Sequence, residues 1–129
     1  MNVIDGIDIS SLLKSKEVFE LFRQNMVTDR DKAGAIQAFE FCYELCWKTM
    51  KRILKGRGVE VNSPRDVFRE AAINRIINDP KIWFDFIEKR NLSTHTYNQL
   101  NVDAVLSIFD SFSDASTRLI SNIVDRNYG

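Results

Sequence analysis

Histidine occurs once in this 129-residue chain, cysteine and proline twice each, glycine five times, and neither sign of charge is in excess. Each scarcity closes off a class of protein. The two thiols, Cys42 and Cys46, and a distant histidine make a poor metal set, because structural zinc usually takes four ligands. A disulfide between cysteines four apart on a helix would be strained and out of place in a reducing compartment. Both therefore read as small packing residues, and neither a metal nor a cofactor is expected. Eighteen basic residues against eighteen acidic ones argue against a general polyanion-coating protein, though not against a small local phosphate site. No apolar run approaches the roughly 20 residues that cross a bilayer. The first residues lack the basic and apolar regions of a signal peptide, so a cytoplasmic location and no membrane partner are expected.

What the chain does have is aromatic mass and helical rhythm. Nine Phe and two Trp, with 44% hydrophobic and 28% charged residues, fit a helix-dominated single domain spanning residues 1–129. Ile36, Phe39, Tyr43, Cys46, Met50 and Ile53 alternate three and four apart, which marks one face of a long helix. That helix is predicted to run from near Asp31 to Gly56-Arg57-Gly58. The same rhythm at Val102, Val105, Phe109, Phe112, Ser116, Leu119 and Ile123 predicts a second long helix. Ser63-Pro64 and Asp79-Pro80 each place an N-cap before a first-turn proline and predict two shorter helices. A first helix spans about Ser10 to Val27, and a few extended residues fall around Val59-Glu60-Val61. The pattern is all-α: an up-and-down four-helix bundle with one arm split into two shorter helices near Asn78-Asp79-Pro80.

One segment carries chemistry: Arg90-Asn91-Leu92-Ser93-Thr94-His95-Thr96-Tyr97. Histidine is the side chain whose ordinary pKa suits proton transfer near neutral pH, and arginine presents a planar fork matched to phosphate oxygens. Arg90 follows Ile87, Phe86 and Trp83 by three, four and seven residues, so it lies on the core-facing stripe in the last turn of its helix. The residues after it form a short connection, a favoured place for reactive groups. Cleaving RNA without metal needs a base for the 2′-hydroxyl and an acid for the leaving 5′-oxygen. A chain with one histidine meets that need if two copies share a cleft, so a homodimer is expected. On the long helix Glu40 borders the buried stripe and wants a partner, for which Arg90 is a candidate. Glu44 and Lys48 are spaced as a solvated surface pair.

The runs Phe39 to Lys48, Ser63 to Ala71 and Arg90 to Tyr97, in that order, resemble the nucleotidyltransferase substrate-binding proteins of the HEPN superfamily over roughly Asp31 to Leu106. The resemblance implies a dimeric helical bundle encoded beside a minimal nucleotidyltransferase. Arg90 and His95, with four residues between them, match that superfamily's metal-independent endoribonuclease motif. The extension to Tyr97 is similar to the HepT toxins, in which the cognate nucleotidyltransferase acts as antitoxin by adding AMP to the motif tyrosine. Carried over, Arg90 holds the scissile phosphate of an RNA substrate, with no DNA substrate expected. His95 handles protons, Tyr97 is the modification target, and Asn91 and Glu40 support the site. The alternative is a non-catalytic subunit that presents a substrate or nucleotide to the partner enzyme.

Overall fold

The computed structural model describes residues 3–126, which form an all-α bundle preceded by a two-stranded hairpin. The hairpin pairs β1 (Val3–Ile4) with β2 (Ile7–Asp8), Ile4 opposite Ile7. Its turn is Asp5-Gly6, with φ of 49° and 79°. Two successive positive φ values define a type I′ turn, whose twist suits a two-residue hairpin and which Asp-Gly favours. Among the described residues these are the strand pairs, so the extended residues predicted at Val59–Val61 form no strand.

The helices are α1 (Ser10–Arg23), α2 (Asp29–Gly56), α3 (Pro64–Ile73), α4 (Pro80–Leu92), α5 (Gln99–Leu106) and α6 (Phe109–Arg126), with a 3₁₀ turn over Ser93–His95. Helix α1 ends at Arg23 rather than near Val27, because Thr28 starts the next helix. Its hydroxyl accepts from the Asp31 amide at 3.0 Å and the Asp31 carboxylate accepts from the Thr28 amide at 3.0 Å, a reciprocal capping box. At the far end of α2, Gly58 takes φ +81°, where a side chain would be strained. Ser63 and Asp79 cap α3 and α4 ahead of Pro64 and Pro80, as predicted.

The predicted second long helix is broken. Ser107 and Ile108 interrupt it between α5 and α6 although the apolar stripe runs straight through. The Ser107 hydroxyl donates to the Ala104 carbonyl at 2.6 Å, and the Ile108 amide reaches back three residues to Val105 at 3.4 Å instead of four. A serine bonding back onto its own helix in this way competes with the ladder and bends it.

The core is a continuous aromatic cluster. The Phe112 ring on α6 lies 4.9 Å from Phe39 of α2, 5.1 Å from Phe19 of α1 and 5.2 Å from Phe86 of α4, each nearly edge to face. That geometry sets the positive ring edge against the negative face and adds about 0.5–1.5 kcal/mol per pair beyond burial. Ser116, the polar member of the α6 stripe, is fully buried and donates to the Phe112 carbonyl at 2.6 Å. Cys42 and Cys46 are buried and unlinked, and burial pushes the Cys46 thiol up. Between α1 and α6, Glu20 meets Lys16 at 2.5 Å, Arg23 at 2.7 Å and the Ser113 hydroxyl at 2.6 Å. Burial works to raise the Glu20 carboxyl, but the hydrogen bonds of Lys16, Ser113 and Arg23 outweigh it and bring it down to about 2.

Candidate functional site

Helices α2 and α4 cross where the start of α3 also arrives, and an open cleft of about 430 Å³ lies at that junction. Tyr43 and Glu44 of α2, Pro64 of α3, Arg90 and Asn91 of α4, and Thr94 and His95 of the 3₁₀ turn line it. Arg90 and His95, singled out from the sequence, therefore face one space. The 3₁₀ turn makes this possible: it continues directly from α4, so the expected loose connection is a tight turn that returns His95 toward Arg90. Asn98 then caps α5 by accepting from the Asn101 amide at 2.9 Å, and the Asn101 side chain donates to the His95 carbonyl at 2.6 Å. The imidazole stays exposed on a backbone held at both ends.

Arg90 is half-buried and held by carboxylates. Its Nη1 donates to Glu40 Oε2 at 3.2 Å, the pairing anticipated from the sequence. Glu44 Oε1 stands 3.6 Å from Arg90 Nε, within ion-pair reach but too far for a hydrogen bond. Arg90 Nε is a buried nitrogen with no hydrogen-bond partner. The Ser93 hydroxyl lies 2.5 Å from Glu40 Oε2 and 2.6 Å from the Arg90 carbonyl, and its one proton serves either oxygen. Ser93 is 6% exposed, so Glu40, Arg90 and Ser93 form a partly buried clasp joining α2 to the end of α4.

Glu44 keeps the expected pair with Lys48, at 4.0 Å, and the same oxygen accepts from the Trp47 indole at 3.1 Å, while its other oxygen faces Arg90 in the cleft. Glu40 and Glu44 are one helical turn apart on a single face of α2, so both meet the same arginine. Asn91 contributes its carbonyl, which accepts from the Thr94 hydroxyl at 2.9 Å, while the residue itself is exposed on the rim. Sequence reasoning misses Ser93 altogether. The available clue is a small polar residue three after an inward-facing arginine, in position to bond back to its carbonyl.

Tyr97 projects from the turn. It is 83% exposed, and its ring stands edge to face against His95 with centroids 6.0 Å apart. Tyr43 is the opposite case: burial, reinforced by the nearby Glu44 charge, raises its phenol well above the ordinary range. Among the described residues no cluster of His, Cys, Asp or Glu could hold a metal ion, and no helix is long and apolar enough to cross a membrane.

Residues 9–125 match the family described as nucleotidyltransferase substrate binding protein like, beyond both ends of the stretch on which the resemblance rests. A Haemophilus influenzae protein named probable ribonuclease HepT is 36% identical over 108 residues, covering 80% of this chain and 74% of its own length. A solved Haemophilus influenzae structure, described as revealing the fold of a substrate binding domain of a nucleotidyltransferase, superposes with a TM-score of 0.77. It is 31% identical and covers 88% of this chain and 96% of its own. A Thermus thermophilus protein shares the fold alone, at 22% identity with a TM-score of 0.82 over 87% of this chain and 98% of its own.

Proposed function

The chain belongs to the nucleotidyltransferase substrate-binding-protein-like family, and from that membership we propose that it is a metal-independent endoribonuclease, the toxin of a HEPN-type pair. One observation carries the reading: Arg90 and His95 line the same open cleft, beside an exposed Tyr97. The kinship with a protein named probable ribonuclease HepT supports it. In the reaction, a base takes the proton of the 2′-hydroxyl and the freed oxygen attacks the adjacent phosphorus. The 5′-oxygen then leaves with a proton from an acid, so a 2′,3′-cyclic phosphate and a 5′-hydroxyl result. Arg90 neutralises the charge that builds on the phosphate oxygens. Two copies of the chain sharing one cleft supply the second histidine. Asn91 and the Glu40–Ser93 clasp hold the arginine end of the site.

The cognate partner is a minimal nucleotidyltransferase acting as antitoxin. It transfers AMP from ATP to the Tyr97 oxygen, releasing pyrophosphate. Among the described residues Tyr97 is exposed and Tyr43 buried, so Tyr97 is the accessible phenol there; the third tyrosine, Tyr128, lies outside them. A phosphate diester two residues from His95 brings negative charge and bulk to the mouth of the cleft and repels an incoming RNA phosphate. Expression of wild type should arrest growth and cut RNA, and His95→Ala should do neither; equal cleavage by both proteins sinks the proposal. Intact mass with and without the partner should show additions of one AMP that vanish in Tyr97→Phe.

A second reading has its own support. Arg90 already faces two carboxylates, at 3.2 and 3.6 Å, so a phosphate must compete for it. A non-catalytic subunit that presents a substrate or nucleotide to the transferase fits that restraint. Tight nucleotide or partner binding, with no RNA cut after removal of any AMP, would favour it.

A further inference from the structure

The balanced charge of the whole chain hides a strong local imbalance. Between residues 47 and 69 stand seven lysines and arginines, against Glu60 and Asp66 alone, while the full chain has eighteen of each sign. The structure lines part of this surplus up. Glu44, Lys48, Lys51 and Lys55 follow one another at four, three and four residues on α2, so they share one face of the helix. The row begins at Glu44, on the wall of the Arg90–His95 cleft. It ends at a second hollow of about 170 Å³, lined by Lys51, Lys55 and Val59 to Asn62. The segment after α2 thus doubles back beside the lysines and delivers Pro64 to the rim of the first cleft. Exposed Arg65 follows at once, its guanidinium 4.7 Å from the Phe84 ring centre.

Acids engage these lysines only at the cleft end of the row, and there loosely. Lys48 approaches Glu44 only at 4.0 Å with its side chain 57% exposed, and among the described residues neither Lys51 nor Lys55 has an ion-pair partner. Glu60 is the carboxylate beside the outer hollow, and it faces two lysines. One helical turn separates successive members, about 5 Å each, so the row offers evenly spaced cations leading away from the cleft.

We propose that the Lys48–Lys51–Lys55 face of α2 is the track for a single-stranded RNA chain on one side of the Arg90–His95 cleft, each lysine neutralising a phosphate beyond the scissile one. The proposal rests on the ribonuclease reading for its substrate, and continuity with the cleft favours RNA over an acidic protein as occupant. Affinity from such contacts is insensitive to base sequence and sensitive to salt.

The test measures binding of a labelled oligouridylate of about 12 nucleotides to His95→Ala protein across a salt series. Replacing the three lysines together (Lys48→Gln, Lys51→Gln, Lys55→Gln) should reduce the slope of log affinity against log salt by about 2, since each single-strand phosphate contact contributes about 0.7. Lys51→Gln with Lys55→Gln alone should reduce it by about 1.4, which covers the case of a poorly folded triple variant. A control removing Lys14, Arg30 and Arg118 as glutamines changes the charge equally and should leave the slope in place. If the track and control variants give the same slope, the proposal is overturned. It is overturned in favour of a protein-docking face if the track variant keeps its RNA slope and loses capture of the purified nucleotidyltransferase. Failure of the ribonuclease reading looks different: the slope falls as expected, but no RNA is cut by wild type. Failure of the track alone leaves His95-dependent cleavage in place with an unchanged slope.

Discussion

Two ion clusters tie this bundle together, and they are near inverses. Between α1 and α6, the Glu20 carboxylate is shared by two cations and a hydroxyl, all within 2.7 Å. Between α2 and α4, the Arg90 guanidinium is shared by two carboxylates at 3.2 and 3.6 Å, with Nε left without a hydrogen bond. The first cluster is saturated and borders no cleft near the motif; the second is incomplete and opens onto one. A group whose partners are all in place stabilises the fold. A group held but not satisfied keeps capacity for something that arrives later, and its neighbour across the cleft is His95.

Removing groups from the open cluster should therefore act on chemistry. Arg90→Ala and His95→Ala are each expected to lower RNA cleavage by about 10²–10⁴-fold, the usual contribution of a positioned proton-transfer group or charge stabiliser. Circular dichroism should show both folded, and retention of more than a tenth of the wild-type rate by either variant would end the contrast. Removing the centre of the closed cluster should act on stability. Glu20→Gln is expected to cost about 1.5–3 kcal/mol in urea denaturation, the range for hydrogen bonds to a charged group, with cleavage per folded molecule unchanged.

The pH dependence sharpens the same point. Glu20 is held at about 2 when folded, against 4.5 for its ordinary value, so the folded state binds its proton less readily than the unfolded chain. Its contribution is full above about 4.5 and declines as the pH falls toward 2. The difference in melting temperature between wild type and Glu20→Gln should shrink steadily across that window; a constant difference would show that the charge of Glu20 is irrelevant. The smallest effect belongs to Glu44→Gln. Taking away one competing carboxylate while keeping an acceptor near Arg90 Nε should lower KM for RNA a few-fold with little change in melting temperature. An unchanged KM would mean Glu44 does not compete with substrate.

Much of the frame was legible because helix periodicity and capping are local. The α2 stripe from Ile36 to Ile53 is buried throughout, and the Ser63-Pro64 and Asp79-Pro80 starts fall where those dipeptides stand. The break at Ser107 was not legible from the stripe, since a bend of a residue or two preserves which face is apolar. The hairpin turn at Asp5-Gly6, between Ile4 and Ile7, went unread because two-residue strands are too short to show an alternating pattern. The motif residues could be named from the sequence, and the Glu40–Arg90 pair could be guessed. The Ser93 bridge and the turn of Glu44 toward Arg90 depend on how α2 and α4 cross, some fifty residues apart in the chain. The local basic excess was also readable, but a whole-chain total averages it away.

The aromatic packing around Phe112 has a consequence for how the molecule is made. Helices α1, α2 and α4 each lend a ring to it, yet the ring that joins them belongs to α6, which follows them in the chain. Synthesis delivers α6 after them, so a growing chain has every element of the cleft before it has the residue that locks those elements together. A ribosome-bound intermediate holding Arg90 and His95 still lacks the wedge that sets α4 against α2. The full arrangement of the cleft therefore waits for α6 to emerge and pack.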